Sequence, residues 1–193
     1  MSKVDNDAFI QQRQQVIISA AKVCFSRSGF HCASMADISR ECALGAGQIY
    51  RYFSSKELIV EATIKNIVQS WHAFLLDQLP LQHTTDAIIN TDSAFWQHWP
   101  WQDRQLLLEV YSEASRHENV RAILAHAEQH LTAALDALFA QQMPQCSATQ
   151  RVHRIQFLLL LVDGVACRSF SDSNLAQSEL QRVNGILTQH LFC

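Results

Sequence analysis

Between Ala8 and Ser28 apolar side chains recur at steps of three and four: Ile10, Ile17, Ala20, Ala21, Cys24 and Phe25. That spacing lines one face of a helix with 3.6 residues per turn. Asp7 is placed to cap its start, and Gly29 suits the left-handed residue past its end. Ser34-Met-Ala-Asp37 resembles a capping box and predicts a short helix over 35–42, with Met35, Ile38 and Cys42 on one face. Ala43-Leu44-Gly45 predicts a tight turn, and 46–53 a second short helix pairing Ile49 with Phe53 at i, i+4. Ser54-Ser-Lys-Glu57 reads as a second capping box. It opens a helix running to Leu79 with apolar positions Leu58, Ala62, Ile67, Trp71 and Phe74.

Beyond Pro80 the pattern predicts helices over 84–98, 102–116, 118–141, 148–170 and 175–191. Pro100, the His117 region, Pro144 and Ser171-Asp172-Ser173 separate them; proline ends a helix by losing a donor and clashing with the preceding turn. The expectation is an all-α chain of about nine helices. Composition agrees, because five Gly and three Pro in 193 residues are too few turn formers for a many-stranded β-fold. At 48% hydrophobic the chain fills a core, which excludes wholesale disorder.

Several function classes drop out. The polar N-terminus has no apolar core of the kind a secretory signal needs, and the run Phe157–Val162 is too short to span a bilayer. Six cysteines show no CxxC and no zinc spacing, and four of them sit in apolar contexts where reduced Cys acts as a small hydrophobe. A cytoplasmic protein with no membrane association is expected. Residues 1–65 hold eight basic and six acidic side chains, net +2, whereas the remainder holds seven and twelve, net −5. This mild asymmetry hints at a polyanion partner for the first section only.

Two short helices joined by a Gly-containing turn, each with a buried apolar pair, describe a helix-turn-helix. With Ile49 and Phe53 facing the protein, Gln48, Arg51 and Tyr52 point away from the core. Gly45, Ala46 and Gly47 leave the N-terminal tip unencumbered for close approach to base edges. Gln48 suits bidentate pairing with adenine. Tyr50 and Tyr52 are donors for phosphate oxygens, and Lys56 with the amides opening the next helix suits another phosphate.

The order Arg13, Ala20-Ala21, Phe25, Gly29-Phe30, Ser34, Asp37-Ile38, Gly47, Tyr50-Arg-Tyr-Phe53 and Ser55-Lys56-Glu57-Leu58 resembles the DNA-binding domain of the TetR family of bacterial transcriptional repressors. The likeness covers residues 13–62. Ala43 departs from the family's turn Gly, and Gly45 from its Ser or Thr cap. The resemblance implies a helix-turn-helix DNA-binding domain over 1–55, with Ser34, Gly45, Ala46, Gly47, Gln48, Tyr50, Arg51, Tyr52 and Lys56 at the DNA. It implies a helical ligand-binding and dimerisation domain over 56–193. The implied function is a homodimeric repressor on palindromic double-stranded operator DNA, released by a small hydrophobic or cationic effector.

Farther along, Leu108-Glu109…Glu113-Ala-Ser-Arg116 resembles the family's sixth helix and Asp163-Gly-Val-Ala-Cys-Arg168 its eighth. The family's last two helices form a four-helix dimer interface, which assigns Phe157, Leu160, Leu161, Gly164, Arg168, Leu187 and Leu191 to a homodimer contact. The same residues would equally face a monomer core. Trp96, Trp99 and Trp101 crowd around Pro100. With Trp71, Ile67 and Tyr111 they either line a pocket for a flat or cationic ligand or plug a helix junction. Glu109, Glu113 and Asp92 are acids able to neutralise a cation. His126 and His130 share one helix face, but the string His-Ala-Glu-Gln-His misplaces the zincin glutamate. A solvated face is therefore expected, with no metal and no cofactor. An all-helical metal-binding protein or enzyme built on the Trp/His-rich body is the alternative.

Overall fold

The computed structural model describes residues 3–81, 85–170 and 177–192. Among the described residues there are ten α-helices and no strand: α1 Lys3–Cys32, α2 Met35–Glu41, α3 Ala46–Ile49, α4 Lys56–Gln78, α5 Asp86–Ile89, α6 Ala94–Gln97, α7 Trp101–Arg116, α8 Glu118–Gln142, α9 Ala148–Arg168 and α10 Gln177–Phe192. A single 3-10 turn, Leu79–Leu81, follows α4. The all-α expectation holds. No helix among the described residues is long and apolar enough to cross a membrane.

The helix expected over 84–98 is instead two single turns, α5 and α6, for a local reason. Asn90 leaves α5 with extended backbone (ψ 103°), and its side-chain oxygen accepts from the Asp92 amide at 3.0 Å. Such an Asx turn offers the chain an alternative to helical hydrogen bonding. Ser93 then restarts the helix with extended backbone (ψ 161°). The separator Ser171-Asp172-Ser173 lies outside the described residues.

The chain divides into two compact units, Met1–Gln69 with Gln105–Leu124, and Ser70–Arg104 with Ala125–Cys193. The first has an apolar centre of Ile17, Ala21, Phe25, Phe30, Ile38, Ile49, Ile59 and Ile64, all at most 1% exposed. The register differs from the expected one at two places. Ile10 is exposed, because α1 extends N-terminally to Lys3 as a solvated stretch that also carries the exposed Phe9 and Val16. In α4 the buried stripe runs through Ile59, Thr63, Ile64, Ile67 and Val68, so Leu58 faces outward at 45% exposure. The Thr63 hydroxyl is satisfied inside the helix, donating to the Ile59 carbonyl at 2.7 Å.

The second unit is built on α8 and α9, whose Leu131, Leu135, Phe139, Ile155, Leu158 and Val162 are buried. The short α5 packs on α6 and α9. Buried Asn184 of α10 is held by hydrogen bonds to Thr85 and Asp86.

Two backbone positions show what the turns demand. Gly29 has φ 73° and ψ 167°, a conformation essentially confined to glycine, and it breaks α1 before Phe30. Ala43 has φ 53°. A left-handed conformation costs an L-residue roughly 1–2 kcal/mol, whereas glycine adopts it freely. Part of the gain from glycine is offset by its larger unfolded-state entropy, about 0.4–1 kcal/mol. Ala43 is exposed, so no packing is lost. Ala43→Gly is therefore expected to raise unfolding stability by about 0.5–1 kcal/mol, read from the midpoint of a urea transition at unchanged slope.

Candidate nucleic-acid interface

The helix-turn-helix is assembled by local polar chemistry. Ser34 caps α2 reciprocally: its Oγ accepts from the Asp37 amide at 3.2 Å, while the Asp37 carboxylate accepts from the Ser34 amide at 3.0 Å and hydroxyl at 2.6 Å. Those two Ser34 bonds, with help from Arg40, hold the Asp37 carboxyl below its ordinary value. Across the turn, the Ser39 hydroxyl donates to the Leu44 carbonyl and the Leu44 amide returns to the Ser39 carbonyl at 3.2 Å. The path from α2 to α3 is thus set by bonds made within ten residues.

Helix α3 is regular for one turn and continues as successive tight turns to Phe53, where the amide donates to the Ile49 carbonyl at 3.0 Å. Ile49 (0% exposed) and Phe53 (7%) anchor it. Gly45, Ala46, Gly47, Gln48, Tyr50 and Arg51 all face outward. A Cβ built on Gly47 meets nothing within 4 Å. Tyr52, expected to point away from the core, is half-buried, and its carbonyl accepts from Gln14 Nε2 at 3.5 Å.

Two side chains assigned to DNA already have partners. Gly45 lacks a hydroxyl, so Gln48 folds back and its Oε1 accepts from the Gly45 amide at 3.1 Å. The same glutamine therefore caps the helix it is placed to read from, leaving its amide nitrogen as donor. Lys56 Nζ donates to the His31 carbonyl at 2.7 Å, tying the end of α1 to the start of α4. The cap of α4 is Ser55 rather than Ser54, since Ser55 Oγ accepts from the Leu58 amide at 3.4 Å. With Lys56 as first helical residue, Leu58 and not Glu57 stands at the third position, which accounts for the one-residue shift.

Below this head, still within the first unit, sits a carboxylate with three donors. Glu113, 4% exposed, faces His31 Nε2 at 2.8 Å, an Arg116 guanidinium nitrogen at 2.9 Å and His117 Nε2 at 3.3 Å. Burial pushes its carboxyl up. The hydrogen bonds from Arg116 and His31, then the charges of His31 and His117, outweigh burial and leave it below its ordinary value. Glu113 is thus committed to protein partners.

Of the residues assigned to a ligand, Ile67 is buried and Tyr111 half-buried in the first unit. Trp71, Trp96 and Trp99 come together in the second, where they are at most 6% exposed. Trp71 lies 6.3 Å from Trp96 and 5.1 Å from Trp99 between ring centroids, with Phe74 and Phe95 completing the cluster. The Trp96 indole N–H donates to the Ile88 carbonyl at 2.7 Å. Arg104, which the sequence pattern did not single out, lies over the Trp96 ring at 5.4 Å and the Trp101 ring at 5.6 Å.

On α9, Phe157 (43%) and Leu160 (72%) are exposed, as are Gly164 and Arg168, while Leu161 is half-buried. A Cβ built on Gly164 meets open space. On α10, Leu187 is half-buried and Leu191 lies outside the residues whose side chains are described. Val183 (47%) and Ile186 (57%) add to the exposed apolar surface.

Among the described residues no group of three or more His, Cys, Asp and Glu is arranged to hold a metal ion. The rings of His126 and His130 stack edge-to-face at 4.5 Å on an exposed face.

Residues 17–63 match the family model described as bacterial regulatory proteins, tetR family. The chain is 29% identical over 180 residues to the HTH-type transcriptional regulator UidR of Escherichia coli K12, covering 89% of this chain and 91% of that one. Among solved structures, Salmonella enterica GusR is 25% identical with a TM-score of 0.65, over 93% of this chain and 95% of that one. A transcriptional regulator from Saccharomonospora viridis, crystallised in complex with choline, shares the fold at 15% identity and a TM-score of 0.61, over 93% and 97%. The outward α3, the matched residues and the full-length relatives lead to one conclusion: residues 17–63 carry the DNA-binding helix-turn-helix of the tetR-family model, and over most of its length the chain is similar to transcriptional regulators that have it.

Proposed function

We propose that the protein is a cytoplasmic, ligand-responsive, homodimeric repressor of a palindromic operator. Residues 1–55 are its DNA-binding domain, and 56–193 its ligand-binding and dimerisation domain. One observation carries the DNA side of this reading: a helix anchored by two buried side chains presents glycine, alanine, glutamine, tyrosine and arginine outward from a tip with no obstructing Cβ. Small residues let the backbone approach base edges, Gln48 reads, and Tyr50, Arg51, Lys56 and the exposed Ser34 hold phosphates. Two such helices about 34–36 Å apart enter successive major grooves. The apolar face of α9 and α10 is the surface proposed to join the copies.

The effector is proposed to act through the aromatic cluster of the second unit. A hydrophobic or cationic molecule suits aromatic faces in general, although Arg104 already lies over two of these rings. Release from DNA requires unequal affinity for two states of the dimer, about 5.5 kcal/mol to reverse a 1:99 population.

The test is footprinting on the DNA flanking the protein's own coding region, with random duplex as competitor. Protection of a palindrome is expected. Equal affinity for that DNA and random duplex would remove site-specific regulation. Tyr50→Ala and Lys56→Ala are both expected to weaken binding to all sequences, and Lys56→Ala, which removes a positive charge, also to flatten its salt dependence. Gln48→Ala is expected to reduce discrimination at one base pair by about 0.5–1.5 kcal/mol, since with Oε1 held by the Gly45 amide only the side-chain nitrogen is left to read.

A further inference from the structure

Two N–H donors in the aromatic cluster of the second unit are buried without a hydrogen-bond partner. Arg104 Nε is buried and has no hydrogen-bond partner, and the same holds for the indole N–H of Trp99, which is 6% exposed. Trp99 packs on Trp71, Trp71 on Trp96, and the Arg104 guanidinium lies over Trp96, so both donors belong to one contiguous cluster. Among the described residues no carboxylate forms an ion pair with Arg104. Its environment is apolar enough for burial to push the guanidinium down from its ordinary value, yet arginine stays charged at any working pH. Half-buried, the guanidinium loses part of its hydration, and its Nε–H is left without an acceptor. In this fold the compensation available is aromatic: two indole faces.

The outer ring of the pair gives access. Trp101 is 46% exposed, Arg104 is half-buried, and Phe170 lies 4.1 Å from Trp101 between centroids. A planar molecule is able to stack on the exposed indole while presenting a carboxylate to the guanidinium fork. That fork matches a carboxylate through two parallel N–H bonds.

Resting on the ligand-responsive reading above, we infer that Trp96, Trp101 and Arg104, with Trp99 behind them, form a receptor for a planar organic anion, an aromatic carboxylate in particular. A cation is disfavoured by the like charge of Arg104.

The test uses 2-naphthoate, its neutral isostere 2-naphthamide, and choline, titrated calorimetrically into the full-length protein at pH 7.5, where the acid is ionised. The expected result is naphthoate binding at least tenfold more tightly than naphthamide, and choline more weakly than either. Arg104→Gln should bring the acid-to-amide ratio to about one, and Arg104→Lys should restore part of it through charge alone. The ratio is measured within each variant, so a general loosening of the fold does not mimic the effect. Trp99→Phe keeps a ring but removes the unpartnered donor. It should lower naphthoate affinity severalfold, and thermal melting of the unliganded variant reads separately what the smaller ring costs the packing. Equal binding of acid and amide by the wild type, a ratio that survives Arg104→Gln, tighter binding of choline, or no binding of any probe would each overturn the inference. Footprinting in parallel separates the two readings. Intact operator protection with a failed acid preference rejects the anion receptor alone, whereas loss of specific protection without any probe rejects the regulator reading instead.

Discussion

Leu160→Glu is expected to convert the proposed homodimer to a monomer and to abolish operator protection while leaving the helices folded. Leu160 is 72% exposed on α9, the highest value among the large apolar side chains of the described residues, and exposed Phe157, Gly164 and Arg168 share its face. Burying a leucine fully contributes about 1.5–3 kcal/mol. In an isologous two-fold interface each substitution occurs twice, so the loss is about 3–6 kcal/mol before any penalty for desolvating the glutamate. At 1.4 kcal/mol per tenfold, the dimer dissociation constant should rise at least 100-fold. Sedimentation velocity across a concentration series reads this directly. Operator affinity should fall in step, because half-sites spaced by one helical turn demand two linked reading heads. Far-UV circular dichroism should be unchanged, since the side chain supports no core within its own chain. A variant sedimenting like the wild type would place the dimer contact elsewhere.

The parts of this architecture legible in the sequence are those specified by neighbours within a few residues. The Ser34–Asp37 cap and the buried pair Ile49–Phe53 depend on spacing of three or four, the positive-φ glycine at 29 on residue type alone, and all are present. So is the tight turn at Ala43, where the chain takes the strained φ despite lacking glycine. Legibility failed where two local rules competed. Asn90-Thr-Asp-Ser lies inside an apolar pattern that supports one helix, but side-chain-to-backbone bonding favours a break, and the break won. In α4 both Leu58 and Ile59 satisfy a helical stripe, and periodicity alone does not choose between adjacent registers; packing buries Ile59.

The candidate site divides along the same line. The reading helix was visible as a local pattern, whereas Gln48 folding onto Gly45 required knowing that the cap lacked a hydroxyl and where the amide then pointed. Arg104 over Trp96 and Trp101 needed the intervening turns in three dimensions. The pairing of His31 with Glu113 joins positions 82 residues apart, which no periodicity encodes.

That pairing supports the second large effect. Glu113→Gln is expected to destabilise the protein by about 1–2 kcal/mol at neutral pH and to weaken operator binding severalfold. The carboxylate is buried and accepts from three donors, His31, Arg116 and His117. A glutamine supplies one acceptor oxygen and sets its own N–H₂ group against a donor. Hydrogen bonds to a charged group contribute about 1.5–3 kcal/mol, but the three partners are more than half exposed, so solvent screening reduces the sum. The effect reaches the head through the chain itself: His31 follows the strained Gly29, and its carbonyl is the acceptor for Lys56 Nζ at 2.7 Å. Freeing the His31 ring loosens that carbonyl and the lysine proposed to meet a phosphate. The pH dependence has a definite sign. Glu113 titrates below its ordinary 4.5 when folded, so its contribution is complete above that value and disappears as pH falls through the lower, folded one. Urea unfolding from pH 7 down to pH 3 should therefore show wild type and Glu113→Gln converging in acid. A difference that stayed constant across that range would mean the carboxylate's charge is not what stabilises the end of α1.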